Sequence, residues 1–263
     1  MPVFSANIGF LFPEVPFLAR FREAAACGFR SVEFMHPYEY SAEELRACLD
    51  EAGLSLDLFN LPSGDFAGGD RGLAASSTRR AEFRDGVAAA ITYADKLGTR
   101  KLNCLVGLRD LAIPWDEQYA SLTENLAWAA AQIGSTGRVL LVEQLNPRET
   151  PGFFLNSLEL AERLLADVGS PHLRLQFDVY HVQRTQGDMV FALRRLIDRV
   201  GHVQIADSPD RHEPGTGEIN YGFVLGELDR LGYEGRVGLE YRPSQATRDS
   251  LLWVTEHGWR LDV

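Results

Sequence analysis

Cysteine is scarce in this chain, and the three present, Cys27, Cys48 and Cys104, are widely spaced and form no CxxC pair. That speaks against a disulfide framework and a cysteine-bound metal, and points instead to buried, reduced thiols. Long apolar runs are missing too, since no stretch approaches the ~20 residues that a membrane helix needs. The opening Met-Pro-Val-Phe-Ser-Ala-Asn lacks the basic and apolar segments of a secretion signal, so the expected location is the cytoplasm. Positive charge is in deficit: 26 Lys and Arg face 37 Asp and Glu, for a formal net charge of -11. Such a surface suits nucleic acid poorly, because phosphate backbones call for clustered Lys and Arg. A small anionic substrate is still admissible, because a bound divalent cation can set the local field against the global charge. There is no GxSxG elbow, GxxxxGK cradle or HExxH helix, which removes the serine-hydrolase, P-loop and zinc-protease readings.

What is present is an ordinary globular composition, 45% hydrophobic and 24% charged. Strand-like runs are expected at residues 4–12, 31–34, 55–60, 101–106, 138–145, 173–180, 200–206 and 236–241. Helix-like segments follow them at 15–27, 42–51, 79–97, 116–133, 157–168, 189–200, 221–231 and 245–257. Ser41 with Glu44 has capping-box spacing, Asn156 or Ser157 can open a helix, and Gly28, Gly53, Gly98 and Gly232 stand where helices should end. Strict alternation predicts a parallel α/β architecture, and eight units predict a single (β/α)8 TIM barrel. The rival, an open doubly wound sheet, is disfavoured because no GxGxxG follows the first strand. No Pro-, Gly- or Ser-rich linker divides the chain, so one domain is expected over residues 1–263.

Four polar residues close four successive apolar runs: Glu143 after Val-Leu-Leu-Val, Asp178 after Leu-Arg-Leu-Gln-Phe, Gln204 after Gly-His-Val, and Glu240 after Arg-Val-Gly-Leu. On neighbouring barrel strands these ends would converge on one rim, where barrel enzymes carry their chemistry. Three carboxylates and an amide are hard oxygen donors, which favour Mg2+ or Mn2+. Singly, each reads equally well as an end-of-strand polar group; the repetition at one register makes them a candidate metal site.

Three more residues are candidates for holding substrate. His181, three residues beyond Asp178, should stand beside the metal, and a loop histidine without a role is the alternative. Arg211, in the loop 207–217, and Arg71, in the long irregular stretch 61–78, could each hold a substrate carboxylate through a bidentate contact, with a solvated surface role as the alternative. Loops as long as 61–78 are often lids. Glu149 and His212 are weaker candidates. Trp253 and Trp259 fit either a subunit contact in a homo-oligomer or the core.

With these residues in view, the chain resembles the hydroxypyruvate isomerase family, within the xylose-isomerase-like barrels. The likeness runs from Phe4-Ser-Ala-Asn to Glu240-Tyr-Arg-Pro, and is clearest at 83–91, at Asn-Cys-Leu-Val-Gly from 103 and at Glu-Pro-Gly-Thr-Gly-Glu-Ile-Asn-Tyr from 213. The resemblance implies one divalent metal held by Glu143, Asp178, Gln204 and Glu240, with Glu143 and Glu240 as the acid/base pair. It implies a small hydroxy- or keto-acid substrate, with hydroxypyruvate converted to 2-hydroxy-3-oxopropanoate through an enediolate or by a hydride shift. One departure is visible: Glu-Gln-Leu-Asn-Pro stands where the family pattern is Glu-Pro-Ile-Asn. The 2-oxo-tetronate isomerases share the barrel and much of the motif set, and so define the alternative substrate. Two further alternatives are an abasic-site nuclease on the same barrel, which would need a histidine-rich cluster and a basic face, and a sugar-acid binding barrel without catalysis.

Overall fold

A computed structural model describes residues 2–261. Its strands are β1 (Val3–Asn7), β2 (Ser31–Glu33), β3 (Ser55–Leu56), β4 (Leu58–Asn60), β5 (Lys101–Cys104), β6 (Val139–Glu143), β7 (Leu173–Asp178), β8 (Val200–Ile205) and β9 (Arg236–Leu239). The chain forms two compact units, Met1–Asp57 with Phe177–Val263, and Leu58–Gln176.

In the first unit the strands follow the order β3-β2-β1-β9-β8, with parallel neighbours throughout. β1 is central to this run and nearly all buried, which is why its Phe-Ser-Ala carries no charge. The register sets Asn7 beside Glu33 and Gln204 beside Gly238. Ser41 and Glu44 form the expected capping box at the start of helix Ala42–Ala52, which buries Ala42, Leu45 and Leu49 on one face. Trp253 is buried and packs edge-on against Phe4 and Trp259, with ring centroids 5.5 and 5.8 Å away, so it serves the core of its own chain.

In the second unit β7, β6, β5 and β4 are parallel neighbours in that order. Helix Arg80–Leu97 turns Phe83, Val87, Ala90, Ala94 and Leu97 inward, a spacing of three to four residues that gives one apolar stripe. The long segment after β4 is tied down by an antiparallel bridge between Gly72 and Val106. Gly72 has φ +108, and a Cβ built there would stand 1.7 Å from Leu105 O, so only glycine allows this approach.

Several expected boundaries need correction, among them strand 4–12, which ends at Asn7, and helix 189–200, which ends at Leu196 before a short turn into β8. The run 55–60 divides at Asp57, where Ser55–Leu56 pairs with β2 and Leu58–Asn60 pairs with β5. Expected strand 173–180 stops at Asp178, and helix Val179–Thr185 begins at once. Val-Tyr-His reads as strand by propensity, but Asp178 Oδ1 accepts from the Tyr180 and His181 backbone N–H groups and turns the chain into a helix. Expected helix 245–257 is two short pieces, Thr247–Ser250 and Leu252–Glu256. All three cysteines are free; Cys104 is buried, which pushes its thiol up to about 12, whereas Cys27 and Cys48 are half-buried. Among the described residues no helix is long and apolar enough to cross a membrane.

Candidate metal centre

Asp178, His181, Gln204, Arg211 and Glu240 all belong to the first unit, and each is buried. Because Asp178 Oδ1 is spent on the helix it caps, its other oxygen is directed outward from that helix start. Asp178 Oδ2 lies 3.7 Å from Arg211 Nη2 and 3.6 Å from His181 Nε2. Arg211 Nη2 also donates to Glu240 Oε2 at 2.6 Å. Two buried carboxylates therefore face one cationic group.

The backbone that delivers Arg211 is held tightly. Asp207 Oδ1 accepts from the N–H groups of Ser208 and Ile219, and its Oδ2 from those of Gly215 and Gly217. Arg211 N–H donates to Asp207 O and its own carbonyl accepts from Arg242 N–H, at 2.9 and 2.7 Å. Arg211 adopts φ +62, a conformation worth about 1–3 kcal/mol of strain in a residue with a Cβ, and this network imposes it. Its guanidinium lies over the Tyr180 and Phe10 rings, 5.1 and 4.9 Å from their centroids.

Burial pushes the Glu240 carboxyl up to about 8; Arg211 opposes the rise, and the charges of Asp178 and Glu33 add to it. His181 is held well below the ordinary imidazole value, by burial first and then by Arg211, so at neutral pH it is an uncharged ring beside Asp178.

Gln204 enters this group through residues that the strand-end pattern had not singled out. Its Nε2 donates to Glu33 Oε1 at 2.6 Å. Asn7 Nδ2 reaches both Glu33 Oε1, at 3.2 Å, and Glu240 Oε1, at 3.1 Å. His202 Nε2 lies 2.8 Å from Glu33 Oε2, with its Nδ1 3.6 Å from Asp57 Oδ2. Asn7 and Glu33 close β1 and β2 just as Glu143 and Asp178 close β6 and β7, so the same criterion would have found them.

Glu143 and Arg71 belong to the second unit. Glu143 is buried at the end of β6, and its Oε2 accepts from Gln176 Nε2 at 2.8 Å and, more weakly, from Asn103 Nδ2 at 3.5 Å. Asn103 Nδ2 also donates to Asn60 Oδ1, so strand-end amides orient this carboxylate. Arg71 donates from Nη1 to the carbonyls of Phe66 and Asp70 and lies over the Phe66 ring, 4.1 Å from its centroid. It thereby closes its own loop and lines a cavity of about 150 Å3 between that loop and the segment after β5. Glu149 and His212 make backbone contacts: Glu149 N–H donates to Asn146 Oδ1, and His212 Nδ1 lies 2.6 Å from Arg242 O.

The donor chemistry fits a hard divalent cation. Asp178 and Glu240 offer carboxylate oxygens turned toward one positive charge, and Gln204 stands two residues of β8 beyond His202 with its nitrogen side already taken by Glu33.

Comparison with known proteins gives a consistent result. The family profile described as xylose isomerase-like TIM barrel matches residues 21–257. The hydroxypyruvate isomerase of Escherichia coli K12 is 47% identical over 251 residues, which is 95% of this chain and 97% of that protein. The 2-oxo-tetronate isomerase of Cupriavidus necator is 44% identical, covering 97% of this chain and 98% of that one. A crystal structure described as an AP endonuclease, family 2, from Brucella melitensis is 41% identical with a TM-score of 0.95, covering 97% of this chain and 99% of that one.

Proposed function

The chain belongs to the xylose isomerase-like TIM barrel family, and from that premise we propose that it is an isomerase interconverting hydroxypyruvate and 2-hydroxy-3-oxopropanoate. On the same reading, residues 1–263 make one barrel domain, active in the cytoplasm, and Glu143, Asp178, Gln204 and Glu240 hold one Mg2+ or Mn2+. The observation that carries it is the pair Asp178 and Glu240, two buried carboxylates, one at the end of β7 and one just past the end of β9, both turned to the Arg211 guanidinium.

A divalent cation bound there would polarise the substrate's neighbouring carbonyl and hydroxyl oxygens and stabilise negative charge developing between them. The chain's own task is to move a proton from one carbon to the next. Glu143 and Glu240 close different strands and take the two ends of that transfer, one accepting the proton as the other returns it. Glu240 suits either role by position, since Asn7 and Arg211 each bond one of its two oxygens and hold the carboxyl in place. Asn7, donating to Glu240 Oε1, fixes the plane of that carboxyl. Arg211 balances the charge and offers a guanidinium to the substrate carboxylate; the neutral His181 supplies a hydrogen bond to a substrate oxygen without adding charge.

The Cupriavidus necator relative supports 2-oxo-tetronates as the second substrate class. The endonuclease description of the Brucella structure is opposed by the net charge of -11, which suits a phosphate backbone poorly. The test is a panel of hydroxypyruvate, 2-oxo-tetronates and ketohexoses, each assayed with and without added metal, next to an abasic-site duplex. Metal-dependent turnover of hydroxypyruvate supports the reading; cleavage of the duplex without turnover of any keto acid overturns it.

A further inference from the structure

Resting on the reading of Gln204 and Glu240 as metal ligands, we propose that Glu33 is the positioning residue of the metal centre: it selects which face of the Gln204 amide meets the cation and, through Asn7, sets the plane of Glu240. A carboxamide ends in an oxygen that can ligate a metal and an NH2 that cannot, and rotation by half a turn exchanges them. A glutamine is therefore a dependable ligand only where a fixed acceptor oxygen takes its nitrogen. Glu33 does so: its Oε1 accepts from Gln204 Nε2 at 2.6 Å. The same oxygen receives Asn7 Nδ2 at 3.2 Å, and that nitrogen lies 3.1 Å from Glu240 Oε1, which ties two proposed ligands to one buried carboxylate.

The surroundings are built for this carboxylate. Burying an anion costs several kcal/mol unless it is paired and hydrogen-bonded. Here His202 Nε2 lies 2.8 Å from Glu33 Oε2, and Asp57 stands on the far side of the ring, 3.6 Å from Nδ1. Space comes from Gly238, the register partner of Gln204: a Cβ at that position would stand 2.3 Å from Glu33 Oε1. For stability alone, apolar side chains of similar volume would serve as well or better than this polar assembly. What they could not do is orient an amide. Glu33, Asp57 and His202 also present ligand atoms within 4.8 Å of one another, but the 2.8 Å contact between His202 and Glu33 is a hydrogen-bond distance between groups already engaged with each other.

The test is Mn2+ binding to the full-length, chelator-stripped protein, followed through the electron paramagnetic resonance signal of free Mn2+. Glu33→Leu keeps the volume and releases the amide, and should weaken binding by roughly 10- to 100-fold, as loss of an orienting partner does. Glu33→Gln keeps an oxygen for Gln204 and turns its NH2 toward His202, and should restore affinity near that of the wild type. Glu33→Asp, which retracts the carboxylate by one methylene, should fall between them and preserves the test where Glu33→Leu does not fold. Gln204→Leu, measured alongside, separates this inference from the reading beneath it. Wild-type affinity in folded Glu33→Leu or Glu33→Asp, with Gln204→Leu weakened, overturns the positioning role alone. Undiminished affinity in Gln204→Leu overturns the ligand assignment and the inference with it. Two Mn2+ per chain, the second lost with Glu33, would make Glu33 a ligand and also overturn it.

Discussion

The Arg211 guanidinium lies 2.6 Å from Glu240 Oε2 in a buried setting, so the residue proposed to hold substrate is in direct contact with a residue proposed to move its proton. Neither can be altered without altering the other. Burial outweighs the arginine's influence and leaves the Glu240 carboxyl at about 8.

That balance sets a pH dependence for the metal-free protein. The folded value is raised above the ordinary carboxyl value of 4.5, so the protonated form favours the folded state, and the stability it contributes is complete below about 4.5 and is lost as pH rises through about 8. In the presence of chelator, the melting temperature of the wild type relative to Glu240→Gln should therefore fall across that window. Arg211→Met removes the opposing charge and should extend the fall to higher pH. A flat difference between wild type and Glu240→Gln would contradict the raised value.

Arg211 and Arg71 should separate in kinetics. Loss of a charge-assisted contact worth roughly 1.5–3 kcal/mol corresponds to about a 10- to 150-fold rise in KM, expected of Arg211→Ala with a carboxylate substrate and not with a neutral analogue. Arg71 already bonds two carbonyls of its own loop, so Arg71→Ala should act through the order of that loop and have the smaller effect. Normal KM in both variants would assign the carboxylate to another group.

Glu143→Gln and Glu240→Gln should each lower kcat by roughly 10²-fold or more, the scale of general acid/base catalysis, with bound metal measured in parallel. In deuterated water, solvent deuterium should enter the product where the transferred proton exchanges before its return. Near-normal turnover by either variant with metal retained would remove that residue from the proton path.

Sequence alone reached the site unevenly, for physical reasons that particular residues make plain. Glu143 and Glu240 stand out because each interrupts an apolar run, and Asp178 and Gln204 because they repeat the same strand-end position. Asn7 and Glu33 hold the same strand-end positions, but their short runs, Phe-Ser-Ala and Ser-Val, make the break in polarity less visible. His202 lies two residues before Gln204 and so on the same face of β8, but a mid-strand polar residue draws less notice than one at a strand end; it is 0% exposed, with Glu33 and Asp57 on either side of its ring. The turn after Asp178 was hidden because Val, Tyr and His carry strand propensity, and a side-chain cap overrides that preference only once the carboxylate is placed. The parallel alternation was legible throughout, since it depends on periodicity over many residues.

The anchoring of the 61–78 segment can be tested by stability. Gly72→Ala would force a Cβ to within 1.7 Å of Leu105 O at φ +108, and should cost at least about 2 kcal/mol. Calorimetry on the chelated protein should show a fall of several degrees in Tm. An unchanged Tm would show that the bridge to Val106 does not hold this segment.

Gly238 has no side chain with which to meet substrate or metal, yet the room it leaves is room that the Glu33 carboxylate fills. Positions 33 and 238 are therefore coupled: alanine at 238 would force the Glu33 carboxylate to move, and loss of the glutamate would lift that constraint on the glycine. A library randomised at 238 alone should return almost only glycine among active clones. Randomising 33 and 238 together should admit side chains at 238 only where glutamate is lost from 33, and those variants should bind Mn2+ as weakly as Glu33→Leu.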